Sequence, residues 1–174
     1  MSRLLGVVLA GGQSSRFGSD KALALYCGRT LLAHAVAALE GWCAAVVVAG
    51  RAGGVADWPA PGMGPLGGIA GALRHARDHG FDAVLAVSVD AVNLPGDLPA
   101  RLSPGPAVVA DQPVIGLWPL GVLSELQAIL KGPGRHSLRA LAERTGARFV
   151  RLEQPLANIN TRADLAILEK CHGL

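Results

Sequence analysis

Aromatic residues are scarce in this chain: three Trp, three Phe and a single Tyr among 174 residues. Without rings interleaved with cations, or a stripe of arginine, it offers no surface for stacking bases or tracking a nucleic-acid backbone. Cysteine is sparse too. Cys27, Cys43 and Cys171 are odd in number and lack metal-ligand spacing, so they read as ordinary thiols in a reducing compartment. No apolar run is long enough to span a bilayer. Ser2-Arg3 before an apolar run looks like the start of a secretory signal. Gly11-Gly12-Gln13 interrupts that run, however, and Arg16, Asp20 and Lys21 follow at once, so the chain is expected in the cytoplasm.

What is present is Ala, Val and Leu. Hydrophobic residues make up 51% and charged residues 17%, which excludes a disordered chain and suits a small α/β protein whose parallel sheet is covered on both faces. The length suits one domain. Apolar runs predict strands over 3–9, 44–49, 83–87, 107–110, 114–118 and 148–152. Helical periodicity is expected over 30–39, 65–79, 95–102, 120–130, 137–145 and 161–170, with Thr30, Ser137 and Thr161 as caps. The three-residue link 111–113 is hairpin-like, so the sheet is expected to be mixed. Strand–helix alternation in the first half places ligands at the carboxyl ends of the strands.

The first of those ends carries the densest chemistry. Leu9-Ala10-Gly11-Gly12 leads into a small, polar loop with Arg16, Gly18, Asp20 and Lys21. It is neither a GxGxxG fingerprint nor a Walker A loop. Glycines still expose backbone N–H groups, Arg16 can grip oxygens bidentately, and Lys21 offers a point charge, so the loop can cradle a polyanion. The other reading is a solvated loop with scattered charges. Asp90 follows a buried strand and suits a hard-cation ligand bridging protein and phosphate oxygens, or else an Asx turn. Asp57, in the Gly/Pro-rich stretch 50–64, can accept hydrogen bonds from a base edge or ribose, or simply be solvated. Asn158 and Asn160 precede the last helix, where Asn160 can orient phosphate or cation or serve a turn. Arg135, His136 and Arg139 form a basic cluster suited to an acidic substrate, or a solvated face. No nucleophile triad is present, so the chemistry expected is phosphoryl or nucleotidyl transfer by positioning and charge neutralisation.

The run from Leu9 to Leu23, LAGGQSSRFGSDKAL, resembles the opening signature of the molybdenum cofactor guanylyltransferases, within the nucleotidyltransferases. Gly64-Pro65-Leu66-Gly67-Gly68 is similar to the family's GPLAG, and the Asp90 run through Pro95 to its P-C-D-x-P-x-L-P. Pro113 with Gly116-Leu117-Trp118, Gly134 to Arg139, and Asn158-Ile159-Asn160-Thr161 resemble its later motifs. The resemblance implies a Rossmann-like three-layer α/β/α fold with a mostly parallel mixed sheet. It implies one nucleotidyltransferase domain over 1–174, nucleotide-binding in its N-terminal half and pterin-binding in its C-terminal half. GTP would be held by Leu9, Ala10, Gly11 and Gly12, with Lys21 on the phosphates, Asp90 on Mg²⁺ and Asp57 on the guanosine. Arg16, Lys21, Asp90 and Asn160 would act on the reacting phosphates. Arg135, Ser137, Arg139 and Asn158 are the pterin-side candidates.

The implied reaction joins GMP to the phosphate of molybdenum–molybdopterin and releases pyrophosphate. Alternatives are a cytidylyltransferase for the same cofactor and a non-catalytic nucleotide- or molybdopterin-binding protein. The resemblance further implies a monomer with small-molecule substrates, served by molybdenum-insertion proteins and molybdoenzyme chaperones, and no nucleic acid or membrane. Three places depart from the family pattern: Ala49 where an Asn is common, Val89 and Ala91-Val92 around Asp90, and Gln112 in place of a His.

Overall fold

The computed structural model describes residues 2–12, 20–134 and 136–171. β1 (Leu4–Leu9) is apolar throughout and buried from Leu5 onward. A hairpin, β2 (Leu25–Tyr26) and β3 (Arg29–Thr30), leads into α1 (Leu31–Glu40), whose Thr30 hydroxyl accepts from Ala33 N at 3.1 Å as the expected cap. β4 (Ala45–Ala49), α2 (Gly64–Asp78), β5 (Ala83–Ser88) and β6 (Ala91–Val92) follow. Then come α3 (Leu98–Leu102), β7 (Ala107–Val109), β8 (Gln112–Pro119), α4 (Leu123–Lys131) and α5 (Leu138–Arg144). β9 (Arg148–Val150), β10 (Ala157–Asn158) and α6 (Arg162–Cys171) complete the order.

Six strands form one sheet in the order β4-β1-β5-β8-β7-β9. The β4/β1, β1/β5 and β7/β9 pairs are parallel, while β8 runs antiparallel to both its neighbours. Two apolar layers cover the faces. On one, Leu66, Ile69, Leu73, Leu126 and Leu141 from α2, α4 and α5 meet Leu5, Val7, Val84 and Trp118. On the other, Leu31, Leu39, Leu98 and Leu102 from α1 and α3 meet Val8, Leu85, Val87 and Leu117. This is the three-layer α/β/α arrangement expected, with every central strand apolar because both its faces are buried.

Several local expectations shift. The helix expected at 95–102 starts only at Leu98, because Pro95-Gly96 form a turn closed by Leu98 N donating to Pro95 O at 3.0 Å. The helix expected at 120–130 opens as a 3₁₀ turn, Leu120–Val122, before α4. The strand expected to start at Val114 starts instead at Gln112, and the ladder slips between Val108 and Val109: Val108 pairs with Gly116, but Val109 with Gln112. The extra residues form a bulge that pushes Pro113 and Val114 out of register. The two-residue ribbons β2/β3 and β6/β10 were not expected. They are too short to show periodicity, and at the first the Cys27-Gly28 turn carries φ of 47° and 76°, as a tight hairpin needs.

Candidate active site

The carboxyl ends of β1, β4 and β5 lie side by side, as the parallel ladder dictates. From β1 come Leu9 to Gly12, from β4 Ala49 and Gly50, and from β5 Ser88 to Asp90. Together they line a cleft of about 950 Å³. The close approach of two turns shapes its floor. A Cβ at Gly50 would run into the backbone of Gly11, and Gly50 has φ of +80°, so only glycine fits there. Gly64 and Pro65, at the amino end of the fifteen-residue α2, contribute a wall where the helix dipole favours negative charge.

Lys21 enters from a 3₁₀ turn, Lys21–Leu23, capped by Asp20, whose Oδ1 accepts from Ala22 N at 3.1 Å. Arg51 donates to both carboxylate oxygens of Asp20, at 3.0 Å to Oδ1, and so ties this turn to the loop after β4. The Arg51 hydrogen bond holds the Asp20 carboxyl below the usual carboxylate range. Lys21 Nζ then donates to Asp90 Oδ2 at 2.8 Å and to Asn160 Oδ1 at 2.9 Å. Asn160 reaches this point because β10 pairs with β6, directly after Asp90, and Ile159 N donates to Asp90 O at 3.0 Å. Three residues singled out on sequence, Lys21, Asp90 and Asn160, are thus one hydrogen-bonded cluster.

Asp57 also lines the cleft, 3.2 Å from Gly62 N, which donates to its Oδ2. Leu9, Ala10, Gly11, Gly12, Lys21, Asp90 and Asn160 line it too, so every described nucleotide-side candidate is there. Arg16 and Arg135 lie outside the described residues.

A second cleft of about 430 Å³ abuts the first, with Ser88, Asp90 and Val114 lining both. The bulge of β8 supplies Gln112, Pro113 and Val114, and Leu138, Arg139 and Asn158 complete the wall with Asp111. Arg139 and Asn158, two of the pterin-side candidates, both line this second cleft. Ser137 does not line this cleft: its hydroxyl accepts from Ala140 N at 3.1 Å and caps α5. Gln112 was noted on sequence only as a departure. Its Nε2 donates to Leu156 O at 3.0 Å, while Gln112 Oε1, Ser88 Oγ and Asn158 Oδ1 are buried without partners among the described residues. The sequence signal missed altogether was Asp164, three residues after Thr161, a capping-box spacing.

Among the described residues no group of three or more His, Cys, Asp or Glu could hold a metal ion, and no helix is long and apolar enough to cross a membrane. Asp90, where the two clefts meet, still fits Mg²⁺, which is commonly held by one or two carboxylates together with substrate phosphates and waters.

Fold and site define a nucleotidyltransferase: a glycine-lined cradle at parallel strand ends, with a lysine and an aspartate at its junction with a second cleft. Residues 6–154 match the MobA-like NTP transferase domain, and the chain belongs to that family. It is 37% identical to a molybdenum cofactor guanylyltransferase of Acidiphilium cryptum, over 97% of this chain and 95% of the relative. With a molybdenum cofactor guanylyltransferase of Sinorhizobium fredii it shares 34% identity, over 97% of this chain and 91% of the relative. Molybdopterin-guanine dinucleotide biosynthesis protein A from Archaeoglobus fulgidus has the same fold, with a TM-score of 0.73 at 22% identity, covering 98% of this chain and all (100%) of that one. So has 2-C-methyl-D-erythritol 4-phosphate cytidylyltransferase from Thermus thermophilus, with a TM-score of 0.63 at 19% identity over 97% of this chain and 98% of that one.

Proposed function

We propose that this chain transfers GMP from GTP to the phosphate of molybdenum–molybdopterin, forming a dinucleotide cofactor and pyrophosphate. The guanylyltransferase relatives support the reaction class. The observation that carries the reading onto these residues is the Lys21–Asp90–Asn160 cluster at the seam of two clefts. Such a seam is where a triphosphate and an acceptor phosphate must meet.

On this reading the guanosine lies between the Ala10–Gly12 turn and Asp57, whose carboxylate suits the adjacent N–H donors of the guanine edge. The triphosphate runs toward Lys21 and the amino end of α2. The acceptor fills the second cleft, with Gln112 and Asn158 in its wall and its phosphate within reach of Arg139. An oxygen of that phosphate attacks the α-phosphorus in line, the bond to the bridging oxygen breaks, and pyrophosphate leaves. Lys21 neutralises charge on the departing group, with Arg16 placed by resemblance alone in the same role. Asp90 would hold Mg²⁺, which when bound supplies further neutralisation of the phosphate oxygens. The N-terminal half thus serves the nucleotide and the C-terminal half the acceptor, Asn160 excepted. We place the chain in the cytoplasm as a monomer, receiving its acceptor from molybdenum-insertion proteins and passing its product to molybdoenzyme chaperones.

Turnover of α-labelled GTP or CTP with molybdenum–molybdopterin and Mg²⁺ tests the reading. Dinucleotide from GTP supports it. Dinucleotide from CTP alone overturns the base assignment, and nucleotide binding without turnover overturns the catalytic reading.

A further inference from the structure

Asp164 touches neither cleft, yet it governs a group that lines one. Its Oδ2 accepts from Asn160 N at 2.9 Å and from Thr161 N at 2.8 Å, while its own N–H donates to Thr161 Oγ1 at 3.1 Å. These are reciprocal cap bonds at the start of α6, but the first of them reaches past the cap to Asn160. Asn160 in turn accepts from Lys21 Nζ at 2.9 Å through its side chain. The chain of bonds is therefore Asp164 to the Asn160 backbone, Asn160 Oδ1 to Lys21, and Lys21 to Asp90 at 2.8 Å. Each link fixes the next: a backbone pinned at Asn160 sets where its amide points, and the amide oxygen sets one of the ammonium's donor directions.

We infer that Asp164 is a positioning residue for nucleotide binding, acting through Asn160 to hold the Lys21 ammonium where a triphosphate meets it. This rests on the nucleotide reading of the cleft. An ammonium on four rotatable carbons is a poor phosphate ligand unless something orients it, because the rotamer freedom it loses on binding opposes the contact. In this fold that ordering comes from Asp164, beyond the last strand ribbon, by way of Asn160, which itself lies 139 positions from Lys21. Helix α6 thereby becomes part of the nucleotide site without contributing a side chain to it.

The test is equilibrium binding of GTP with Mg²⁺ to the full chain. Asp164→Ala should raise the GTP Kd about tenfold, the scale on which loss of an orienting partner is felt. Asp164→Asn, which keeps one accepting oxygen, should raise it less. Ala166→Gly, an exposed change in the middle of α6, weakens the helix without touching Asn160 and should leave Kd within about twofold. On an Asn160→Ala background, Asp164→Ala should add nothing further, since its route to Lys21 is gone. An unchanged Kd in Asp164→Ala, an equal rise in Ala166→Gly, or multiplicative effects of the two alanine changes each overturn the relay. A wild-type chain that binds no GTP overturns the nucleotide reading and the relay with it.

Discussion

Lys21 Nζ lies 2.8 Å from Asp90 Oδ2, an ion pair between residues 69 apart in sequence. The two side chains are 14% and 22% exposed, so the pair is shielded more than a surface salt bridge and matters more than one. On the proposed reading nucleotide binding would part this pair, the triphosphate drawing on the ammonium and Mg²⁺ on the carboxylate.

Asp90→Asn separates those two demands. Turnover should fall by about 10²–10³, the cost of losing one charge-stabilising element in a transition state. Binding of GTP without divalent cation should hold or tighten, since the lysine loses its carboxylate partner. Calorimetric titration with and without Mg²⁺, alongside kcat, checks both halves; undiminished turnover would remove Asp90 from the metal role.

Asp57 is positioned by the Gly62 N–H, which donates to one oxygen at 3.2 Å. Asp57→Ala should lower kcat/KM for GTP by about 10–100-fold and for CTP much less, because the guanine edge offers its donors to a carboxylate and cytosine does not offer the same pair. The ratio of the two kcat/KM values is the measurement, and equal losses would count against a base contact.

Gly71, in the middle of α2, lets the helix lie against the loop that carries Asp57, for a Cβ there would overlap the Ala56 carbonyl oxygen. Gly71→Ala sets two effects against each other. Helix propensity gains about 0.5–1 kcal/mol, while forcing backbone apart costs about 1–3 kcal/mol. The clash should win, lowering the melting temperature and raising KM for GTP as Asp57 is displaced. Thermal unfolding and GTP kinetics check it, and a stabilised variant would show that the loop yields without cost.

Acid should loosen the same end of the molecule. Asp20, held by Arg51, and Asp164, held first by Asn160 N, both have carboxyls below the ordinary value. A depressed folded-state value gives stability that is fully present above the unfolded value of about 4 and lost as pH falls through the depressed one. The melting temperature should therefore drop on titration from pH 5 toward pH 3, and Asp20→Asn should flatten that drop. A variant with the wild-type slope would show that the Arg51 pair contributes nothing to stability.

Local features were legible in the sequence because neighbouring residues decide them. The β1 run ending at Gly11-Gly12, the Thr30 and Ser137 caps, and Asp90 at the end of an apolar strand each depend on a handful of adjacent positions. Asp57 in a long Gly/Pro-rich stretch ahead of a glycine-rich helix was readable for the same reason. Asn160 was readable from its place just before the last helix, and motif resemblance added the pterin-side proposals.

Tertiary structure alone decided which of these residues meet. The Lys21–Asp90–Asn160 cluster exists because β1 and β5 are parallel neighbours and β10 pairs with β6. Strand order is set by packing across the whole core, not by any window of sequence. The antiparallel course of β8 was expected from its short link to β7, but the bulge that brings Gln112 and Val114 to the second cleft was illegible for that reason. So was the bond between Arg51 and Asp20, two charges whose pairing depends on where two loops end up. Asp164 shows the division within one residue: its capping spacing is written in four consecutive letters, but its line to Lys21 is drawn only when the chain folds.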